Sequence, residues 1–162
     1  MRGEMTVKLI KVMIFCIVAL TATSAFAQDS NSDMQILLDK VKADKKVVVA
    51  ANMTLTESEA KAFWPIYDAY QKDLQAINER LGKTILAYAD AYNKKSLTDA
   101  QAKQLTQEAL AIDQDEITLR KTYATRLEGV IPGMKVARYL QIENKIRAAI
   151  RMDLAAGIPL VP

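Results

Sequence analysis

Leu55-Thr56-Glu57-Ser58-Glu59-Ala60-Lys61 is answered 42 residues later by Leu97-Thr98-Asp99-Ala100-Gln101-Ala102-Lys103. Both stretches read Leu-Thr-x-x-(Glu/Gln)-Ala-x, the pattern of a capping box. The Thr hydroxyl accepts from the N–H three residues on, and the Glu or Gln side chain reaches back to the N–H of the Thr. Thr56 with Glu59, and Thr98 with Gln101, are therefore helix-capping pairs that open two helices. Behind the first start, Ala60, Phe63, Tyr67, Tyr70, Leu74, Ile77 and Leu81 recur at alternating steps of three and four. That is the spacing of a packed helical seam, and Ile85, Tyr88 and Tyr92 continue it after a shift of one residue. The pattern predicts a helix over 57–93, about 55 Å long at 1.5 Å per residue. Behind the second start, Ala102, Leu105, Ala109, Ile112, Glu116, Leu119 and Tyr123 keep the same rhythm over 99–128. Asn93-Lys94-Lys95-Ser96 is a short polar loop between them, so an antiparallel hairpin is expected.

Working outward, Ser32 with Gln35 makes another capping pattern and predicts a helix over 33–51, with Ile36, Leu37, Val41, Val48 and Val49 as its apolar stripe. Gly129-Val130-Ile131-Pro132-Gly133 breaks or bends the path. A last helix is expected over 134–155, burying Val136, Leu140, Ile146, Ile150 and Leu154. Gly157 suits the left-handed residue after its end, and Pro159 blocks continuation. No alternation of period two persists, so the class is all-α. The architecture expected is a long bent antiparallel helical hairpin with flanking N- and C-terminal helices. The bend comes from Pro65, which removes the bond to the Lys61 carbonyl. A seam this long needs a hairpin partner, a second copy, or both.

Residues 1–27 read as an export signal. Arg2, Lys8 and Lys11 precede an apolar run over 12–22, and Ala25-Phe26-Ala27 is an A-x-A cleavage site. The run is too short to span a bilayer comfortably. The expectation is a periplasmic (secreted) single helical domain over 28–162, with no stable membrane span after cleavage. Residues 28–162 carry 19 basic and 18 acidic side chains, a net charge of +1 against +3 for the whole chain. That balance does not point to nucleic acid. The single cysteine, Cys16, lies in the signal, so the domain has no thiol or disulfide to rely on.

The chemistry of a catalytic site is thin. The chain has no histidine, the domain has no cysteine, and no glycine-rich phosphate loop occurs. No enzyme, no catalytic residue, no metal site and no cofactor are expected. The acidic run Asp113-Gln114-Asp115-Glu116 lies mid-helix rather than in a calcium loop, and reads as a solvated face. Glu116 is its exception, because it falls on the seam. It should meet a cation such as Arg138, Lys145 or Arg147, or lie at the hairpin's edge. Phe63, Trp64, Tyr67 and Tyr70 gather beside Pro65. They are either a core cluster or aromatics presented to a partner on a concave face. Lys135, Arg138, Lys145, Arg147 and Arg151 give the last helix a basic side, suited to acidic segments of a partner or to internal ion pairs. The apolar tail Ile158-Pro159-Leu160-Val161-Pro162 either docks on its own helices or binds a partner.

An export signal, an all-helical domain and two Leu-Thr-x-x-(Glu/Gln) starts resemble the LTxxQ family of periplasmic proteins, which includes the Spy and CpxP stress proteins. Leu97-Thr98-Asp99-Ala100-Gln101 fits the motif in full, and Leu55-Thr56-Glu57-Ser58-Glu59 has Glu for the final Gln. The stretches 60–67 and 136–145 are similar to bacterial exported helical proteins of like length. The resemblance implies a bent helical hairpin that pairs into a cradle-shaped antiparallel homodimer. It also implies ATP-independent chaperoning of protein clients, or regulation of an envelope-stress or metal-responsive sensor domain without general chaperone activity. The protein-binding residues expected on this reading are Phe63, Trp64, Tyr67, Tyr70, Arg138, Arg147 and Arg151.

Overall fold

The computed structural model describes residues 44–162. The expected export signal, and the part of the first expected helix that precedes residue 44, lie outside the described residues. Within them the fold is all-α. Helix α1 covers 44–52, α2 Glu57–Asn93, α3 Asp99–Glu128 and α4 Gly133–Gly157.

Both long helices start where the capping boxes place them. The Thr56 hydroxyl accepts from the Glu59 N–H at 3.3 Å, and the Glu59 carboxylate accepts from the Thr56 N–H at 2.7 Å. The Thr98 and Gln101 pair repeats this at 3.3 and 3.0 Å. Each exchange satisfies two N–H groups that the first turn would otherwise leave open. The turn between α2 and α3 closes as a Schellman motif. The Ser96 N–H donates to the Ala91 carbonyl at 3.0 Å and the Lys95 N–H to the Tyr92 carbonyl at 3.1 Å, with Lys95 at a φ of 53°.

The stop expected at Gly157 takes another form. Among the described residues no glycine has a positive φ. Gly157 is the last helical residue of α4, and Ile158 turns to an extended conformation, as the following Pro159 requires. Pro65 does not interrupt α2, which runs through it unbroken. At the α3–α4 corner, the Leu127 carbonyl accepts from both Val130 and Ile131 at 2.9 Å. Ile131 is thereby tucked into the core.

The packing directions follow from the pairs that meet. On α2 and α4, Glu59 meets Lys135 and Gln71 meets Glu143, so these two helices run parallel. Helix α3 runs against both: Asp73 meets Tyr123 and Arg80 meets Glu108, while Glu116 meets Arg147 and Arg151. Helix α1 also runs against α4, since Asn52 meets Arg138 and Lys45 meets Glu143. The helices alternate up and down, as in an antiparallel bundle. The core lies where all four meet, around Val49, Phe63, Tyr67, Tyr70, Leu127 and Tyr139. The seam of α2 is thus covered over this length by α1, α3 and α4 of the same chain. Of the expected stripe of α1, Val49 faces the core and Val48 does not. Val49 is buried while Val47 and Val48 are exposed, a choice that three consecutive valines leave open.

Candidate functional site

The aromatic cluster beside Pro65 is core. Phe63 is 0 % exposed, Tyr67 2 % and Tyr70 3 %. They pack edge-on around Tyr139 of α4, with ring centres 5.2, 6.0 and 6.2 Å away, a geometry the ring quadrupoles favour. Burial raises the phenol pKa of Tyr67, Tyr70 and Tyr139 alike, with the Glu143 charge adding to it. The expectation that Phe63, Tyr67 and Tyr70 face a partner is therefore corrected: three helices of this chain cover them. Trp64 is half-buried at the rim, where the Lys46 ammonium lies 5.1 Å from its ring centre.

Beneath this cluster a polar triangle ties three helices together. Glu143 of α4 is 4 % exposed. Its carboxylate meets Lys45 Nζ of α1 at 2.8 Å and accepts from Gln71 Nε2 of α2 at 3.0 Å. Lys45 Nζ also donates to Gln71 Oε1 at 2.9 Å. The buried charge is compensated and hydrogen-bonded, as burial requires.

The basic side of α4 is largely spent inside the molecule. Arg151 meets Asp113 at 2.5 Å and Glu116 at 2.9 Å, and Arg147 Nε lies 3.3 Å from Glu116. Lys135 Nζ donates to Glu59 at 2.5 Å, which lowers the Glu59 pKa, aided by the Thr56 N–H. Arg138 is exposed, but its Nε donates to the Asn52 carbonyl at the end of α1. Arg147 and Arg151 are therefore corrected from partner-binding residues to a bridge between α3 and α4. The acidic run stays on a solvated face, with Glu116 buried as its exception, and it adds ion pairs across helices, because Asp115 also meets Arg80 at 2.5 Å. Those bonds join α2, α3 and α4, with Asp113 and Asp115 still about half exposed and only Glu116 buried. Thr56, Glu59, Thr98 and Gln101 keep the capping role given to them. Among the described residues no cluster of three or more acidic, Cys or His side chains could hold a metal ion. No described helix is long and apolar enough to cross a membrane.

The apolar groups left in solvent are different residues. On α3, Leu110 is 64 % and Ile117 44 % exposed. Seven positions apart, they share one face two turns from each other. Gln107, Ala111, Gln114 and Thr118 beside them are also exposed and uncharged, while Asp113, one turn from both, and Lys121, one turn beyond Ile117, bring charge to the edges of this face. Val130 and Met134 stand out at the α3–α4 corner, Met134 at 85 %. Leu110 and Ile117 fall off the three-four seam, and that is the sequence signal that could have found them. The tail divides: the Pro159 carbonyl accepts from the Tyr88 hydroxyl at 3.0 Å, while Leu160 and Val161 remain exposed.

A cleft of about 80 Å³ opens between α2 and α4. Leu74 and Leu81 form one wall and Ile146, Ile150 and Leu154 the other, with Arg120 of α3 at its floor and Lys45 of α1 at one end. No protein-family model matches the chain, and no curated protein and no solved structure matches it either.

Proposed function

We propose that the chain is an exported helical protein of the Spy-like kind, which binds unfolded or partner protein on the outer face of its hairpin. One observation carries this reading: the exposed apolar side chains of Leu110 and Ile117, aligned on one face of α3. Lone apolar residues on a surface are ordinary. Here two of them are aligned along one helix, with Gln107, Ala111, Gln114 and Thr118 beside them and charged Asp113 and Lys121 at the edges. Such a face offers apolar contact to many sequences, with charges of both signs, Asp113 and Lys121, at its edges. The site is accordingly assigned to α3 and the α3–α4 corner, and not to the aromatic cluster. On the same reading residues 1–27 direct export and are removed, the protein works in the periplasm, and two copies pair.

The test is suppression of aggregation of a chemically denatured client on dilution. Suppression near equimolar ratio is expected, and none at that ratio overturns the proposal. A pull-down from periplasm separates the two family roles. A mixture of clients supports chaperoning, whereas a single stoichiometric partner would make the protein a regulator of that partner.

A further inference from the structure

The outer face of α3 carries an order of charges as well as its two apolar side chains. Along it run Asp99, Lys103, Leu110, Ile117, Lys121 and Glu128, all exposed. At about 100° per residue, these six lie within about 40° of one another around the helix axis. Asp113 stands at the edge toward α4, where Arg151 meets its charge at 2.5 Å. The order is acid, base, apolar, apolar, base, acid, close to a palindrome about the midpoint of Leu110 and Ile117.

That order disfavours a second copy on this face. An antiparallel twofold pairing, with Leu110 over the copy's Ile117, sets Asp99 opposite the copy's Glu128. It also brings Lys103 within about 4.5 Å, along the axis, of the copy's Lys121. A parallel twofold pairing sets each charge against itself. Like charges facing each other across an interface are unfavourable. A favourable occupant therefore differs from this face and carries acidic groups where the face has lysines.

The spacing selects the occupant's conformation. Leu110 and Ile117 are seven residues apart, about 10.5 Å at 1.5 Å per residue. A second helix returns to one face after the same seven residues and meets both side chains. On one face of a strand, side chains recur at about 6.7 and 13.4 Å. A strand that seats one residue on Leu110 therefore passes Ile117 between two.

We infer that the outer face of α3 takes an amphipathic helix of another protein, with two apolar residues seven apart and acidic residues one to two turns outside each of them. The apolar pair seats on Leu110 and Ile117, and the acidic residues meet Lys103 and Lys121. This inference rests on the proposed role of the face in protein binding, and it names the segment bound there as helical rather than extended.

Fluorescence anisotropy with three labelled synthetic peptides tests it, each about 24 residues long so that a helix can form. The first has two leucines seven apart and glutamates at the flanking positions. The second has lysines for those glutamates. The third sets the residues of the first in strict alternation, the pattern of a strand. At low salt the parent chain should bind the first about fivefold more tightly than either other, the worth of two exposed ion pairs. The gap between the first two should close at about 1 M salt, where charges are screened. Lys103→Glu/Lys121→Glu changes only exposed positions and should prefer the second peptide instead. Equal binding of the first two peptides by the parent would overturn the inference. So would an unchanged preference in the variant, or a third peptide that binds as well as the first. Self-association in light scattering that Leu110→Lys/Ile117→Lys abolishes would also overturn it, and would assign the face to a second copy. If the parent suppresses client aggregation without these peptide preferences, the inference fails and the proposed function stands. Peptide preferences without suppression support the inference and overturn the chaperone role. Absence of both removes both.

Discussion

Lys45→Met removes the cation that compensates Glu143, together with its bond to Gln71, and leaves the Gln71–Glu143 bond in place. Methionine keeps most of the lysine stem, so little packing is lost. Lys45 meets the carboxylate at 2.8 Å, and the side chains are 19 % and 5 % exposed. Gln71 remains at 3.0 Å, a neutral donor that cannot balance a buried charge. Removing one partner of a buried ion pair costs about 3–5 kcal/mol. The total stability expected for a domain of this size is about 7–20 kcal/mol at 0.05–0.15 kcal/mol per residue, so the variant should still fold. Urea denaturation at pH 7 reads the loss as a lower midpoint at unchanged slope. The double variant Lys45→Met with Glu143→Met separates the penalty of a stranded charge from the worth of the pair. It should recover to within about 1–2 kcal/mol of the parent, because apolar replacement of a buried pair is often close to neutral. A single variant that loses under about 1 kcal/mol would refute the reasoning. So would a double variant as unstable as the single one.

At the hairpin loop, Thr98→Ala should cost about 1 kcal/mol in the same urea assay by removing a cap, and leave client binding nearly intact. Lys95→Gly should add up to about 1 kcal/mol, since Lys95 sits at a φ of 53° where a side chain is disfavoured and glycine is not. Glu59 gives the pH dependence. Lys135, then the Thr56 N–H, hold its folded pKa below the ordinary 4.5. A depressed carboxylate stabilises the fold above its unfolded value, and that stabilisation is lost as pH falls through the folded value. Glu59→Gln keeps an oxygen for the Thr56 N–H but has no proton to gain, so its midpoint should fall less than the parent's between pH 6 and pH 3.5. Equal falls would rule out Glu59 as a source of the acid sensitivity.

The helix starts were legible in sequence because a capping box acts within four residues, and Thr56–Glu59 and Thr98–Gln101 need nothing distant. The two seams were legible because heptad spacing is also local, and it marked Glu116 as a residue needing a cation, which Arg147 and Arg151 supply. What failed depended on tertiary register. Nothing near Phe63 or Tyr70 in sequence says that Tyr139, some seventy residues on, will lie against them. The basic side of α4 fitted either a partner's acidic segments or internal ion pairs, because its acidic partners lie on another helix and only tertiary register decides. Val48 was placed in the stripe of α1 beside Val49 because the two are chemically alike, and only packing selects Val49. The left-handed stop fell at Lys95 because the Ala91 and Tyr92 carbonyls require it there, glycine or not.

The central claim is that protein binding resides on the α3 face and not on the aromatic cluster. The direct measurement compares the parent chain with Leu110→Lys/Ile117→Lys in suppressing aggregation of a denatured client. Both positions are exposed, so the double variant should match the parent in urea midpoint to within about 1 kcal/mol. The account predicts suppression by the parent near equimolar ratio and at least a fivefold higher ratio needed by the variant. Equal potency of the two proteins, or no suppression by either, would contradict it.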